Sequence, residues 1–212
     1  MNLTWLKKIL WRPVFKCITK YKKWYAQKYI IPPYEEKRQI IKDHQKQFGV
    51  NVLVETGTFM GDTVAALKSD FSKVISIELS EELALKAQQR FANEPTVKII
   101  HGNSGALMAN LLREINAPCI FWLDGHYSSE FFLGDTYIKT AKGNKLTPVL
   151  EELGAIFSSP HKEKHVILID DARCFDGTND YPTIPELKDF VSKFNAKLKV
   201  EIKRDIIRIL PN

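Results

Sequence analysis

From residue 35 to the C-terminus, short apolar runs alternate with longer stretches of helical periodicity, and this alternation restricts the fold more than any other feature of the chain. Helix is predicted over 35–48, where Gly49 stops it, and the run 50–54 that follows reads as a buried strand. Helix recurs over 61–68, 80–91, 104–115 and 148–157, and strand over 74–79, 97–100, 119–123 and 166–169. Ser80 is placed to cap the helix 80–91, with Glu81 and Glu82 in its electropositive first turn. Strands separated by helices pair in parallel through right-handed crossovers, which put helices on both faces of one sheet. The expected fold is therefore α/β, a doubly wound and mostly parallel sheet. Two β-rich runs at the end, 197–203 and 206–210, are joined by Arg204-Asp205 and are predicted to form an antiparallel edge pair. The polar, glycine-containing connections 128–147 and 174–185 are expected to wall or cover whatever the sheet binds.

The charge is unevenly spread. The 31 Lys/Arg and 25 Asp/Glu give +6, but residues 1–34 hold eight basic side chains and no acid, so the remainder carries −2. A slightly acidic body does not suit a phosphate backbone, and nucleic acid is not an expected partner. Pro32-Pro33 sets the expected boundary between an arm, 1–34, and a domain, 35–212. In the arm, Leu3, Leu6, Leu10, Val14, Ile18 and Tyr21 recur at helical spacing, while Trp5, Trp11 and Trp24 add rings that suit a membrane interface. A helix packed on its own domain or on a second subunit fits the same pattern, and Pro13 interrupts either. Cys17, Cys119 and Cys174 are odd in number and widely spaced, with Cys119 inside an apolar run, which points to a reduced, cytoplasmic setting. No run approaches the ~18 apolar residues of a spanning helix, so any membrane contact is expected to be peripheral, through the arm.

The first strand ends in Glu55-Thr56-Gly57-Thr58-Phe59-Met60-Gly61. Gly57 lets backbone approach a ligand closely, and Gly61 opens a helix whose free amides favour electron-rich groups. An ordinary strand-to-helix turn would look the same. The second strand supplies the discriminating residue: Glu78 stands at its end, 21 residues after Gly57, where an acid receives ribose hydroxyls. A nicotinamide cofactor would use the same acid, but the spacing here is Glu-x-Gly-x-x-x-Gly, without the third glycine of a pyrophosphate turn.

On these residues the chain resembles class I S-adenosylmethionine-dependent methyltransferases over roughly residues 50–210. The resemblance implies a Rossmann-like sheet in which Glu55, Gly57 and Gly61 cradle the cofactor and Glu78 binds its ribose. It also sets Asn103 and Ser104, in His101-Gly102-Asn103-Ser104, beside the adenine, although a turn capped by Ser104 accounts for them equally.

Two further strand ends are rich in carboxylates: Leu123-Asp124-Gly125-His126-Tyr127 and Ile169-Asp170-Asp171-Ala172-Arg173. Acids crowded at one rim repel one another unless a cation or proton intervenes, and all-oxygen ligation favours a hard ion such as magnesium. Helix capping by Asp170 and a cofactor-side place for Asp124 account for the same residues without metal. The pattern is similar to metal-dependent enzymes of the macrocin O-methyltransferase type, which implies Asp124, Asp170 and Asp171 as metal ligands. His126 stands where that family has an acid proposed as general base, and imidazole can take a hydroxyl proton or ligate the metal. Arg173 and Lys139 are candidates to neutralise an acidic substrate or to lie solvated on the surface.

The expected activity is methyl transfer from S-adenosylmethionine to a hydroxyl of a sugar, glycolipid or small natural product, with metal assistance. The alternatives are a nicotinamide-dependent oxidoreductase and a non-catalytic Rossmann-like binding module.

Overall fold

A computed structural model describes residues 28–127, 130–133 and 136–211. The first half of the chain folds as α1 (Tyr34–Phe48), β1 (Val52–Thr56), α2 (Asp62–Leu67), β2 (Lys73–Glu78), α3 (Glu81–Arg90), β3 (Val97–His101) and α4 (Ser104–Glu114). It continues as β4 (Ile120–Leu123), β5 (Glu130–Leu133), β6 (Thr136–Lys139), α5 (Val149–Phe157) and β7 (Val166–Ile169). A 3-10 turn (Ala172–Cys174), α6 (Ile184–Phe194), β8 (Lys199–Lys203) and β9 (Ile206–Leu210) complete it.

The main sheet has the order β3-β2-β1-β4-β7-β9-β8. β3, β2, β1, β4 and β7 are parallel, while β9 runs antiparallel between β7 and β8, as the terminal pair was expected to do. Alternate side chains sort to opposite faces. Val52, Val54, Ile75, Ile77, Phe121, Leu123, Ile167 and Ile169 pack with α4, α5 and α6, whereas Leu53, Val74, Ile120, Trp122, Val166 and Leu168 pack with α1 and α2. Burial on both faces is why these strands read as continuous apolar runs. Cys119 is fully buried with its thiol pushed up to about 12, mainly by desolvation, as a small hydrophobe would be.

Several local details differ from expectation. β1 starts at Val52 because the Val50 amide turns back to the Gln45 carbonyl, closing the left-handed Gly49 cap of α1. Ser80 caps α3 as expected, accepting from the Leu83 amide at 3.4 Å. Asn103, not Ser104, caps α4, accepting from the Ala106 amide at 3.3 Å.

Helix α6 and the antiparallel β5–β6 ladder were not foreseen. The sequence signal for α6 is Thr183-x-x-Glu186 with Pro185. Thr183 Oγ1 accepts from the Glu186 amide at 3.3 Å, and the Glu186 carboxylate accepts from the Thr183 amide at 2.7 Å.

Most of the arm, residues 1–27 with Cys17, lies outside the described residues, and so do the alternatives of membrane surface and packed helix. Its last residues do pack on the domain: the Lys28 carbonyl accepts from the Asp205 amide at 2.7 Å, and Tyr29 packs against the core. Among the described residues no helix is long and apolar enough to cross a membrane.

Candidate active site

Chain order steps outward from β1 through β2 to β3 and then crosses back to β4, so the sheet reverses between β1 and β4. Ligands of open parallel sheets bind beyond the carboxyl ends of the strands at such a point. Pairing of Thr56 with Leu123, and of Leu123 with Ile169, brings the residues after β1, β4 and β7 to one rim. A cleft of about 990 Å³ opens there, at the upper end of the range for ligand pockets. Glu55, Gly57, Glu78, Asn103, Ser104, Asp124, His126, Asp170 and Asp171 all line it. Gly61 does not: at φ +78 it makes the turn into α2, and a Cβ there would stand 2.8 Å from the Phe91 ring.

On the β1–β2 side the wall is backbone and acid. Gly57 has φ +85, and a Cβ would lie 2.5 Å from the Asp124 carbonyl oxygen, so only glycine lets the β1 turn and the end of β4 pass. Glu78, 7% exposed, accepts from the Phe59 amide at 2.8 Å and the Ser80 amide at 2.9 Å, one on each carboxylate oxygen. Each oxygen keeps a lone pair for a hydroxyl donor.

Beneath this wall lie two buried acids. Ser76 Oγ donates to Glu55 at 2.5 Å, and burial, together with the charges of Asp124 and Glu78, pushes the Glu55 carboxyl up to about 8. Glu152 of α5 was not foreseen as part of the site. It accepts from Ser104 Oγ at 2.5 Å, and burial pushes it up to about 7.

A pH dependence of stability follows from these two acids. Both keep their protons in the fold above the ordinary 4.5 at which the unfolded chain loses them, so stability falls as pH rises from there through about 8. His165, held near 4 by desolvation, gives the opposite slope, but only below its ordinary 6.5. Urea midpoints should therefore decline between pH 6.5 and 8, and Glu55→Gln should flatten the decline. A midpoint that stays level in the wild type, or a decline as steep in Glu55→Gln and Glu152→Gln as in the wild type, would contradict ionisation of these two groups, since Asp170 and His126, both raised, account only for a remainder.

On the β4–β7 side the remaining acids face three basic side chains, His126, Lys37 and Arg173. His126 lies between carboxylates, with Nδ1 3.3 Å from Asp124 and Nε2 3.5 Å from Asp171. Burial works against its charged form, but the hydrogen bond to Asp124 and the nearby acids outweigh it and hold the ring above its ordinary 6.5. Asp170 is paired with Lys37 of α1, a residue not foreseen in the site. Desolvation and Asp124 raise the Asp170 carboxyl despite that pairing.

The expected metal trio is thus not the trio that clusters. Asp124, His126 and Asp171 offer ligand atoms within 4.8 Å of one another, while Asp170 faces an ammonium. Asp171 sits at φ +59, a left-handed conformation that few non-glycine residues adopt. Arg173 holds it there, donating to Asp171 at 2.7 Å and pairing with the buried Asp205 of the β8–β9 turn. Arg173 is 39% exposed, and its two acid partners nevertheless make it a positioning residue. The side chain of Lys139 falls outside the described residues.

Of the two connections, residues 140–141 and 143–146 line the cleft, whereas residues 174–185 do not. The second braces the first: Asp180 accepts from the Leu146 amide at 2.8 Å, and the Leu146 carbonyl accepts from the Tyr127 amide at 2.9 Å.

No protein-family model and no curated protein matches the sequence. Solved structures do match. The O-methyltransferase TomG of Streptomyces achromogenes, solved in complex with SAM, has TM-score 0.54 and 12% identity, covering 86% of this chain and 82% of that one. An O-methyltransferase of Bacillus cereus in complex with SAH has TM-score 0.54 and 15% identity, covering 84% and 82%. A putative caffeoyl-CoA O-methyltransferase of Staphylococcus aureus has TM-score 0.51 and 15% identity, covering 99% and 100%. Ribosomal RNA methyltransferases match at a similar level, so the likeness does not extend to the acceptor. At these identities it establishes architecture: the chain has the Rossmann-like fold of S-adenosylmethionine-dependent methyltransferases.

Proposed function

We propose that the chain transfers the methyl group of S-adenosylmethionine to a hydroxyl of a sugar, glycolipid or small natural product, assisted by a divalent metal ion such as magnesium. The observation that carries this reading is a single cleft joining the Gly57 approach and the Glu78 carboxylate to the Asp124, His126 and Asp171 cluster.

In this reading Glu78 receives the ribose hydroxyls on its free lone pairs, and Asn103 and Ser104 border the adenine. Gly57 leaves room for the cofactor beside β4. The acceptor hydroxyl enters next to His126. Its oxygen forms the new bond to the methyl carbon as the carbon–sulfur bond breaks, the sulfur leaves as a neutral thioether, and the hydroxyl proton passes to a ring nitrogen of His126. Asp124 and Asp171 would hold the metal, which, when bound, favours the deprotonated form of the hydroxyl.

A second reading is favoured by the 4.8 Å triangle itself, in which His126 is the third ligand and the proton leaves to solvent. Transfer of a labelled methyl group from S-adenosylmethionine to a panel of catechols, sugars and hydroxylated lipids, with and without magnesium, tests the proposal. Absence of transfer to every hydroxyl by a protein that binds the cofactor would contradict it.

A further inference from the structure

Besides His126, the basic side chains lining the cleft among the described residues are Lys37, Arg38, Lys145 and Arg173. Three have acids of their own: Lys37 pairs with Asp170, Lys145 with Glu151, and Arg173 with Asp171 and Asp205. Arg38 has none among the described residues, and its Nε is buried without a hydrogen-bond partner. A buried guanidinium N–H without an acceptor carries its full desolvation penalty, so such a group calls for a partner that the fold does not supply.

Among the described residues no acid of the cleft pairs with Arg38. Asp170 and Asp171 are engaged by Lys37 and Arg173, Asp124 faces His126, and Glu78 is held by the amides of Phe59 and Ser80. Arg38 also follows Lys37 directly on α1, so the same helix closes the acid cluster with one residue and presents an open donor fork with the next.

We propose that Arg38 is the anion anchor of the cleft, its guanidinium taking a carboxylate or phosphate of a molecule bound there. Planar guanidinium donors match both groups in a paired geometry. Two sources present this chemistry: the carboxylate on the amino-acid tail of the cofactor, or an acidic group on the acceptor. The inference rests on the methyltransferase reading for the identity of the first source only.

The test uses the full chain and its Arg38→Gln and Arg38→Lys variants. S-adenosylhomocysteine and 5′-methylthioadenosine, which lacks the amino-acid tail, are titrated into each, and inorganic phosphate is titrated with and without saturating S-adenosylhomocysteine. If the tail is the partner, Arg38→Gln weakens S-adenosylhomocysteine by on the order of tenfold or more and leaves 5′-methylthioadenosine unchanged. If the acceptor supplies the anion, phosphate binding to the S-adenosylhomocysteine complex falls by a similar factor while both nucleosides bind as before. In either case Arg38→Lys keeps part of the affinity, and neither variant unfolds at a lower urea concentration than the wild type.

Equal binding of every probe by wild type and Arg38→Gln would overturn the proposal. Should the protein bind neither nucleoside, the methyltransferase reading fails by itself. Phosphate on the ligand-free chain then decides Arg38 alone, with binding that requires Arg38 supporting it and binding that ignores Arg38, or is absent, overturning it.

Discussion

Gly57→Ala should abolish S-adenosylmethionine binding and cost about 2–4 kcal/mol of stability. Two penalties combine. At φ +85 an L side chain is strained, and the new Cβ would stand 2.5 Å from the Asp124 carbonyl oxygen and 2.9 Å from its carbon, both backbone atoms that no rotamer change can move. Relief requires β1 and the end of β4 to part, which displaces Asp124 and the cofactor wall together. Gly49→Ala is the control. It shares a left-handed conformation, φ +64, but a Cβ there meets nothing within 4 Å, so it should cost only about 1 kcal/mol and leave binding intact. Urea unfolding and cofactor titration of the two variants separate strain from contact. If Gly57→Ala proves no worse than Gly49→Ala, the close passage at the rim is not what this position protects.

The second large effect is expected at the opposite wall. A chelator should lower turnover by on the order of a hundredfold or more, and magnesium should restore it, while S-adenosylmethionine affinity stays largely intact because it rests on the ends of β1 and β2. Asp171→Asn should raise the magnesium concentration needed, since it removes one charge and keeps the shape. His126→Ala distinguishes the two roles of the ring. As a base, its loss lowers kcat by on the order of a hundredfold at an unchanged metal requirement. As a ligand, its loss shifts the metal requirement as Asp171→Asn does. Full turnover in excess chelator would remove the metal from the account and leave Asp124 and Asp171 with the positioning of His126.

The strand ends were legible because the sheet is buried on both faces, so each strand appears as an apolar run and the first polar residue after it marks the rim. Glu78, Asp124 and Asp170 were found in that way. Ser80 was legible as a cap because capping is local. Local signals also existed for two elements that went unread: Thr183 and Glu186 with Pro185 for α6, and Phe131-Phe132-Leu133 and Tyr137-Ile138 on either side of Gly134-Asp135 for β5 and β6. Lys37 carried no such signal. Its pairing with Asp170 joins residues 133 apart and depends on where α1 crosses the sheet, which periodicity does not specify. The division of the acids, Asp170 to Lys37 and Asp171 to Arg173, is a consequence of that packing, and it is why a trio adjacent in motif is not the trio adjacent in space. Glu152 was hidden for a similar reason: on a helix it resembles a solvated acid until α4 and the end of β1 close over it.

Calorimetric titration of the purified chain with S-adenosylmethionine, and separately with oxidised and reduced nicotinamide dinucleotides, tests the central claim most directly. Saturable binding of S-adenosylmethionine is expected, weakened by about 2 kcal/mol in a folded Glu78→Ala variant, the scale of charge-assisted hydrogen bonds lost from a partly buried site. No binding of S-adenosylmethionine, or tight binding of a nicotinamide dinucleotide that depends on Glu78, would contradict it.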